Sequence, residues 1–137
     1  MLTIFHNFAS QIKLEEMART ALAYGTDLIV VSKATGMAAQ AGIPTVSRLV
    51  FEKGGKLLVT HSLEEALEVL KPKEVFLITD LAEEELRREE VSPEAAFVFF
   101  GNYPVKKEEE LGKLRFISPK GLSEVAQVCL LFERYKG

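Results

Sequence analysis

An α/β domain built on a mostly parallel sheet is predicted by three features of this 137-residue chain. The first is Ala95-Ala96-Phe97-Val98-Phe99-Phe100, an apolar run without polar alternation that stops at Gly101-Asn102. Such a run reads as a strand covered on both faces. The second is a pair of shorter runs of the same kind, residues 28–31 (Leu-Ile-Val-Val) and 75–78 (Val-Phe-Leu-Ile). The third is the alternation of these runs with helical patterns, the order that builds parallel sheets covered by helices. With no internal repeat, low-complexity tract or linker, residues 1–137 are expected to form one domain.

Element by element, Leu2-Thr3-Ile4-Phe5 is a short strand ended by His6-Asn7. Residues 14–24 read as a helix because Leu14, Met17, Ala18, Ala21 and Leu22 fall at the spacing of one buried face, and Gly25 is a natural cap. After the strand at 28–31, the small residues 35–41 suit a short helix ending at Gly42. Pro44 is expected to stop that helix, so residues 45–51 read as a strand, and Gly54-Gly55 as a hairpin turn or bulge before a strand at 56–59. Ser62-Leu63-Glu64-Glu65 has the form of a capping box opening a helix that runs to Leu70 and ends at Pro72. Beyond the strand at 75–78, residues 81–90 read as an acidic helix, and Val91-Ser92-Pro93 leads into the long apolar run. Leu114-Arg115-Phe116-Ile117 is the last strand, followed by Ser118-Pro119-Lys120-Gly121 and a terminal helix over 122–135. The stretch Val128-Cys129-Leu130-Leu131-Phe132 makes that helix apolar almost all round, so its own chain or a second subunit is expected to cover more than one side.

Bulk properties narrow the partners. The net charge of −3 argues against a strong nonspecific grip on nucleic acid, although the clustering of Glu at 64–68, 83–90 and 108–110 leaves other faces free to be basic. Cys129 is the only cysteine, so no internal disulfide forms and a reducing, cytoplasmic setting is expected. No secretory segment opens the chain and no apolar run approaches a membrane span. His6 and His61 lack the Cys, His or carboxylate company of a metal site, so no metal is expected.

Three segments in order resemble the SpoU/TrmH branch of the SPOUT superfamily of knotted RNA methyltransferases. They are Met17 to Gly25 with its Ala-Arg-Thr-Ala core and the strand after it; Phe97-Val98-Phe99-Phe100-Gly101-Asn102; and the stretch from Ile117 through the Pro/Gly loop to the apolar helix ending at Tyr135. The resemblance implies a three-layer domain with a C-terminal trefoil knot, S-adenosylmethionine as cofactor, tRNA or rRNA as substrate, methylation of a ribose 2′-hydroxyl and a homodimer. Three positions depart from the family pattern. Lys13 stands where an Asn is usual, Tyr103 replaces the Glu that often follows Gly-Asn, and Gly121-Leu122-Ser123-Glu124 only approximates the usual Ser-Leu-Asn. These departures keep open an alternative, a SPOUT-like dimer that binds RNA or a protein partner without transfer activity. An unknotted flavodoxin-like domain binding a nucleotide or phosphate ligand is a third reading.

By this resemblance Arg19 is the catalytic residue, engaging phosphate and helping the 2′-hydroxyl lose its proton. Its ordinary alternative is an exposed i, i−4 pair with Glu15. Phe100, Gly101 and Asn102 at one strand end, and Ile117, Ser118, Pro119 and Leu122 at the other, are expected to hold the cofactor, with Thr79 completing the pocket. Lys106, Lys107, Lys113, Arg115 and Lys120 are candidates for phosphate contacts, set against the bland alternative of a solvated loop. His6 is a candidate for RNA contact or proton carriage, set against the alternative of a polar strand end.

Overall fold

The computed structural model describes residues 1–135. Its centre is one sheet of six parallel strands: β1 (Leu2–His6), β2 (Leu28–Ser32), β3 (Lys56–Thr60), β4 (Glu74–Ile78), β5 (Ala95–Phe100) and β6 (Lys113–Arg115), in the order β3-β2-β1-β5-β4-β6. The first three strands build outward from β1 to one edge. The chain then crosses to β4 in the other half of the sheet, β5 returns to fill the place between β4 and β1, and β6 adds outside β4. That reversal makes a switch point at the carboxyl ends of the central strands, where open α/β sheets place ligands.

Both faces of the sheet are covered, which explains the unbroken apolar run. In β5 the pleat sends Ala95, Phe97 and Phe99 into one core and Ala96, Val98 and Phe100 into the other, and all six are buried. The larger core lies under α1 (Gln11–Ala23), α2 (Ile43–Glu52) and α5 (Glu124–Tyr135), and the smaller under α3 (Leu63–Leu70). α1 buries Leu14, Met17, Ala18, Ala21 and Leu22, as the periodicity predicts, and Ser10 caps it by accepting from the Lys13 N–H. Ser62 likewise accepts from the Glu65 N–H to open α3, while the Glu65 carboxylate takes the Ser62 hydroxyl rather than reaching back to the backbone.

Three elements differ from expectation. Residues 45–51 are the body of α2, not a strand, and no hairpin follows: Gly54, at φ +73°, closes α2, and β3 runs parallel to β2. The β-branched residues here favour a strand by propensity, but Val46 and Val50 fall one helical turn apart on the buried face, so packing decides. Pro44 does not stop the preceding segment. A π-helical turn over Ala38–Gly42 runs directly into α2, and Pro44 sits in the first turn of that helix, where its missing N–H costs nothing. Residues 81–90 are not helical apart from one 3₁₀ turn, Arg88–Glu90. Their backbone groups pair with the tail instead: Phe116 N–H donates to Glu84 O at 3.0 Å and Leu86 N–H to Phe116 O at 2.9 Å.

The terminal helix is buried on one side by Gln127, Val128, Leu131 and Phe132, while Val125, Cys129 and Leu130 are only half-buried, so it is not enclosed all round. It stacks on α1 through the Tyr24 and Phe132 rings, 4.9 Å apart. A short helix, α4 (Lys106–Glu109), stands between β5 and β6.

Candidate functional site

At the carboxyl ends of β4 and β5, the strand tips and the tail loop enclose a cavity of about 340 Å³. Its walls include Thr79 and Asp80 after β4, Phe100 to Tyr103 after β5, and Gly121, Leu122, Glu124 and Gln127 from the tail. A volume at the lower end of the small-molecule range fits a nucleoside-sized ligand.

Local packing explains how the walls converge. Gly101 is where the chain after β5 passes against the chain after β1. Its N–H donates to His6 O at 2.8 Å, and a Cβ there would overlap the Asn7 carbonyl oxygen and lie 2.7 Å from the Phe8 Cα. No side chain larger than hydrogen fits that approach. On the other wall, Asp80 Oδ2 accepts from the Gly121 N–H at 2.8 Å, tying the β4 tip to the tail loop. The connection that begins there holds the tail along its length. Lys120 Nζ donates to Ala82 O at 2.9 Å, Tyr135 Oη to Leu86 O at 3.1 Å, and Arg88 to Arg134 O at 3.4 Å.

Among the described residues the cavity walls carry two carboxylates, Asp80 and Glu124, and no lysine or arginine. Lys13, one turn into α1, offsets Glu124 at 3.0 Å. Asp80 Oδ1 is buried without a hydrogen-bond partner, an unsatisfied acceptor beside the cavity.

Of the residues singled out from the sequence, Thr79, Phe100, Gly101, Asn102 and Leu122 line this cavity. Ile117, Ser118 and Pro119 are not among its lining residues. Ile117 is buried in the larger core, and Ser118 Oγ donates to Glu85 at 2.7 Å. Arg19 stands apart. It lines a separate groove of about 190 Å³ between α1 and α2, with Leu22, Ala23, Leu49, Glu52 and Lys53. Its side chain is exposed, and the expected pair with Glu15 is not among the ion pairs of the described residues.

The basic residues expected around the site are partly committed to the fold. Arg115 is buried, donates to Glu90 at 2.9 Å, forms an ion pair with Glu84 at 3.0 Å, and lies over the Phe76 ring. Burial pushes the Glu90 carboxyl up, but its hydrogen bonds from Arg115 and from the Arg87 N–H, with their charges, bring it below the ordinary value. Lys120 is held over Phe116, and Lys113 faces Glu74 at 3.8 Å. Lys106 and Lys107 remain exposed.

His6 is not a surface histidine. It is fully buried, so it makes no contact with RNA, and it joins two residues the sequence analysis did not connect with it. Nδ1 meets Ser32 Oγ and Nε2 meets Glu108 Oε2, each at 2.6 Å. Burial lowers its pKa, the hydrogen bond and charge of Glu108 oppose that, and the charge of Lys33 adds to it. His6 precedes Glu108 by 102 residues, so no local pattern marks the pair.

Among the described residues no three His, Cys, Asp or Glu side chains converge as a metal site. Among the described residues no helix is long and apolar enough to cross a membrane.

Residues 36–132 match the family model described as RecB-family nuclease (DUF2122). A protein of Methanocaldococcus jannaschii provisionally named type II restriction enzyme MjaORF1200P is 34% identical over 141 residues, covering 99% of this chain and 97% of that protein. The structure is similar to that of the SpoU methyltransferase AviRb from Streptomyces viridochromogenes, with TM-score 0.74, 10% identity and coverage of 97% of this chain and 57% of that one. It is also similar to the TrmH/SpoU tRNA modifying enzyme of A. aeolicus, with TM-score 0.64, 15% identity and coverage of 96% and 72%.

Proposed function

Since the chain belongs to the family described as RecB-family nuclease (DUF2122), while its fold is that of SpoU/TrmH methyltransferases, we propose that it is an S-adenosylmethionine-dependent RNA methyltransferase. The substrate is a ribose 2′-hydroxyl in tRNA or rRNA, and the working form is a cytoplasmic homodimer. One observation carries the reading: the cavity lies where β4, β5 and the tail loop meet, and five residues singled out for the cofactor line it.

The residues present suit such a ligand. Ile78, Phe100 and Leu122 offer apolar surface to a purine ring, and Asp80, with Glu124 offset by Lys13, gives the cavity a carboxylate that suits a cationic donor. Ser118 and Pro119 precede in sequence the residues Gly121 and Leu122 that line the cavity. The tail, gripped by the 79–94 connection, is the threaded element of a trefoil knot in this reading, and the half-buried Val125, Cys129 and Leu130 face a second subunit. When bound, S-adenosylmethionine supplies a methyl group already activated as a sulfonium substituent, so alignment is the protein's main contribution. Arg19, outside the cavity of its own chain, acts through bound RNA or across the dimer.

The nuclease description rests on the family match and the Methanocaldococcus jannaschii relative, and would call for metal-dependent cleavage of nucleic acid. A second reading, a SPOUT-like dimer that binds RNA or a partner without transfer, is favoured by the separation of Arg19 from the cavity.

Titration calorimetry of the full chain with S-adenosylmethionine, followed by transfer of labelled methyl to bulk tRNA and rRNA, separates these readings. Binding and transfer are expected in the wild type. Arg19→Ala is expected to abolish transfer while leaving cofactor affinity within about twofold, because the groove it lines shares no residue with the cavity. Loss of cofactor binding in that variant assigns Arg19 a structural role. Binding without transfer favours the second reading, and strand scission in the presence of Mg²⁺ favours the nuclease description.

A further inference from the structure

We propose that His6 and Glu108 are positioning residues for the ligand cavity, clasping both ends of the 101–110 segment that forms one of its walls. The identity of the ligand rests on the methyltransferase reading; the clasp itself does not.

The segment begins at Gly101, whose N–H donates to the His6 carbonyl, and ends in α4, where Glu108 meets the His6 imidazole. One residue thus holds the segment at both ends, by backbone at one and side chain at the other. The second oxygen of Glu108, Oε1, accepts from the Val105 N–H at 3.1 Å and fixes the turn between them. Between Asn102 and Lys107 only Pro104 is buried. Tyr103 and Val105 are exposed at 68% and 50%. Few other contacts therefore oppose movement of this wall.

The proton inventory of the clasp closes. A neutral imidazole carries one N–H, and a carboxylate can only accept, so Nε2 bears the proton and donates to Glu108. Nδ1 then accepts from the Ser32 hydroxyl, which the strand register places beside His6. The edge of the Phe100 ring packs on the imidazole at 5.5 Å, and Lys33 is the other charge that acts on it. Within the Glu108-Glu109-Glu110 run, Glu108 alone is buried, at 9% exposure. A carboxylate turned inward from a solvated acidic run needs a compensating partner, and His6 is that partner.

Two measurements test the proposal. In the wild type, ¹⁵N chemical shifts of the His6 ring at pH 7.5 (roughly a unit above the ordinary histidine pKa) are expected to show a neutral Nε2–H tautomer with a slowly exchanging proton. The opposite tautomer, or a freely exchanging ring, overturns the clasp without any variant. Hydrogen exchange then compares wild type, Glu108→Gln and Glu108→Ala. The alanine variant, which loses the hydrogen bonds of Glu108 to both His6 and the Val105 N–H, is expected to raise exchange at Gly101 and Val105 by about tenfold or more, with Phe97 and Phe99 unchanged. The glutamine variant keeps an acceptor for the Val105 N–H and, with the His6 proton moved to Nδ1, donates its amide N–H to Nε2, so it recovers most of that protection. Unchanged exchange at Gly101 and Val105 overturns the proposal, as does equal loss along all of β5. S-adenosylmethionine affinity is expected to fall with the loosening in the alanine variant and to return in the glutamine variant; affinity that ignores the loosening refutes the positioning role. If the wild type binds no S-adenosylmethionine while exchange behaves as expected, the cofactor reading falls and the clasp stands.

Discussion

His6 shows how one buried polar residue ties stability to pH. Its pKa is lowered, so the folded protein binds a proton less readily than the unfolded chain. The stabilisation is therefore complete above the ordinary histidine value of 6.5 and is lost as pH falls through the depressed folded-state value. Denaturant midpoints are expected to decline as pH is lowered from 7 towards 5, with a shallower decline in His6→Gln. An equal slope in the two proteins would place the acid sensitivity elsewhere, with the depressed Glu90 carboxyl the next group to examine. Gly101 works at the same scale by different means: its missing side chain lets the cavity wall lie against Asn7 and Phe8.

Among the elements, the irregular stretch at 81–90 most needs a physical account. It is rich in Glu and Arg and has the composition of a helix, yet its donors and acceptors go to Phe116, Lys120 and Tyr135. Arg115 secures the arrangement from below through Glu90 and Glu84. Arg115→Met keeps much of the buried volume but leaves the Glu90 carboxylate without its main partner, at a cost of about 3 kcal/mol. A fall of that size in the unfolding free energy, recovered when Glu90→Gln is added, is the expected double-mutant result. Additive losses would show that the pair contributes little beyond packing.

At the scale of the molecule, α5 lies on α1 with one side in the core and another half-covered. Val125 and Cys129 flank one edge of the buried face and Leu130 the other, so apolar surface continues past the core on both edges, which suits contact with a second copy. Light scattering is expected to report a dimer for the wild type and a folded monomer for Leu130→Glu. A wild-type monomer at micromolar concentration removes the dimer from the proposal and leaves the cavity reading intact.

Local patterns sufficed wherever a segment's environment is uniform along its length. β5 is legible as a run of six apolar residues because both faces of the sheet are covered, and α1 because one face of it is. The same patterns, read with a family resemblance, led to Thr79, Phe100, Gly101, Asn102 and Leu122 around one cavity. They failed where a distant partner outweighed local preference. Residues 45–51 became a helix because Val46 and Val50 pack into the larger core, and 81–90 stayed irregular because the tail took its hydrogen bonds. The pairing of His6 with Glu108 and the separation of Arg19 from the cavity arise in the same way. Contacts between residues a hundred positions apart, and the choice of which helix face meets the core, are fixed only when all layers pack together.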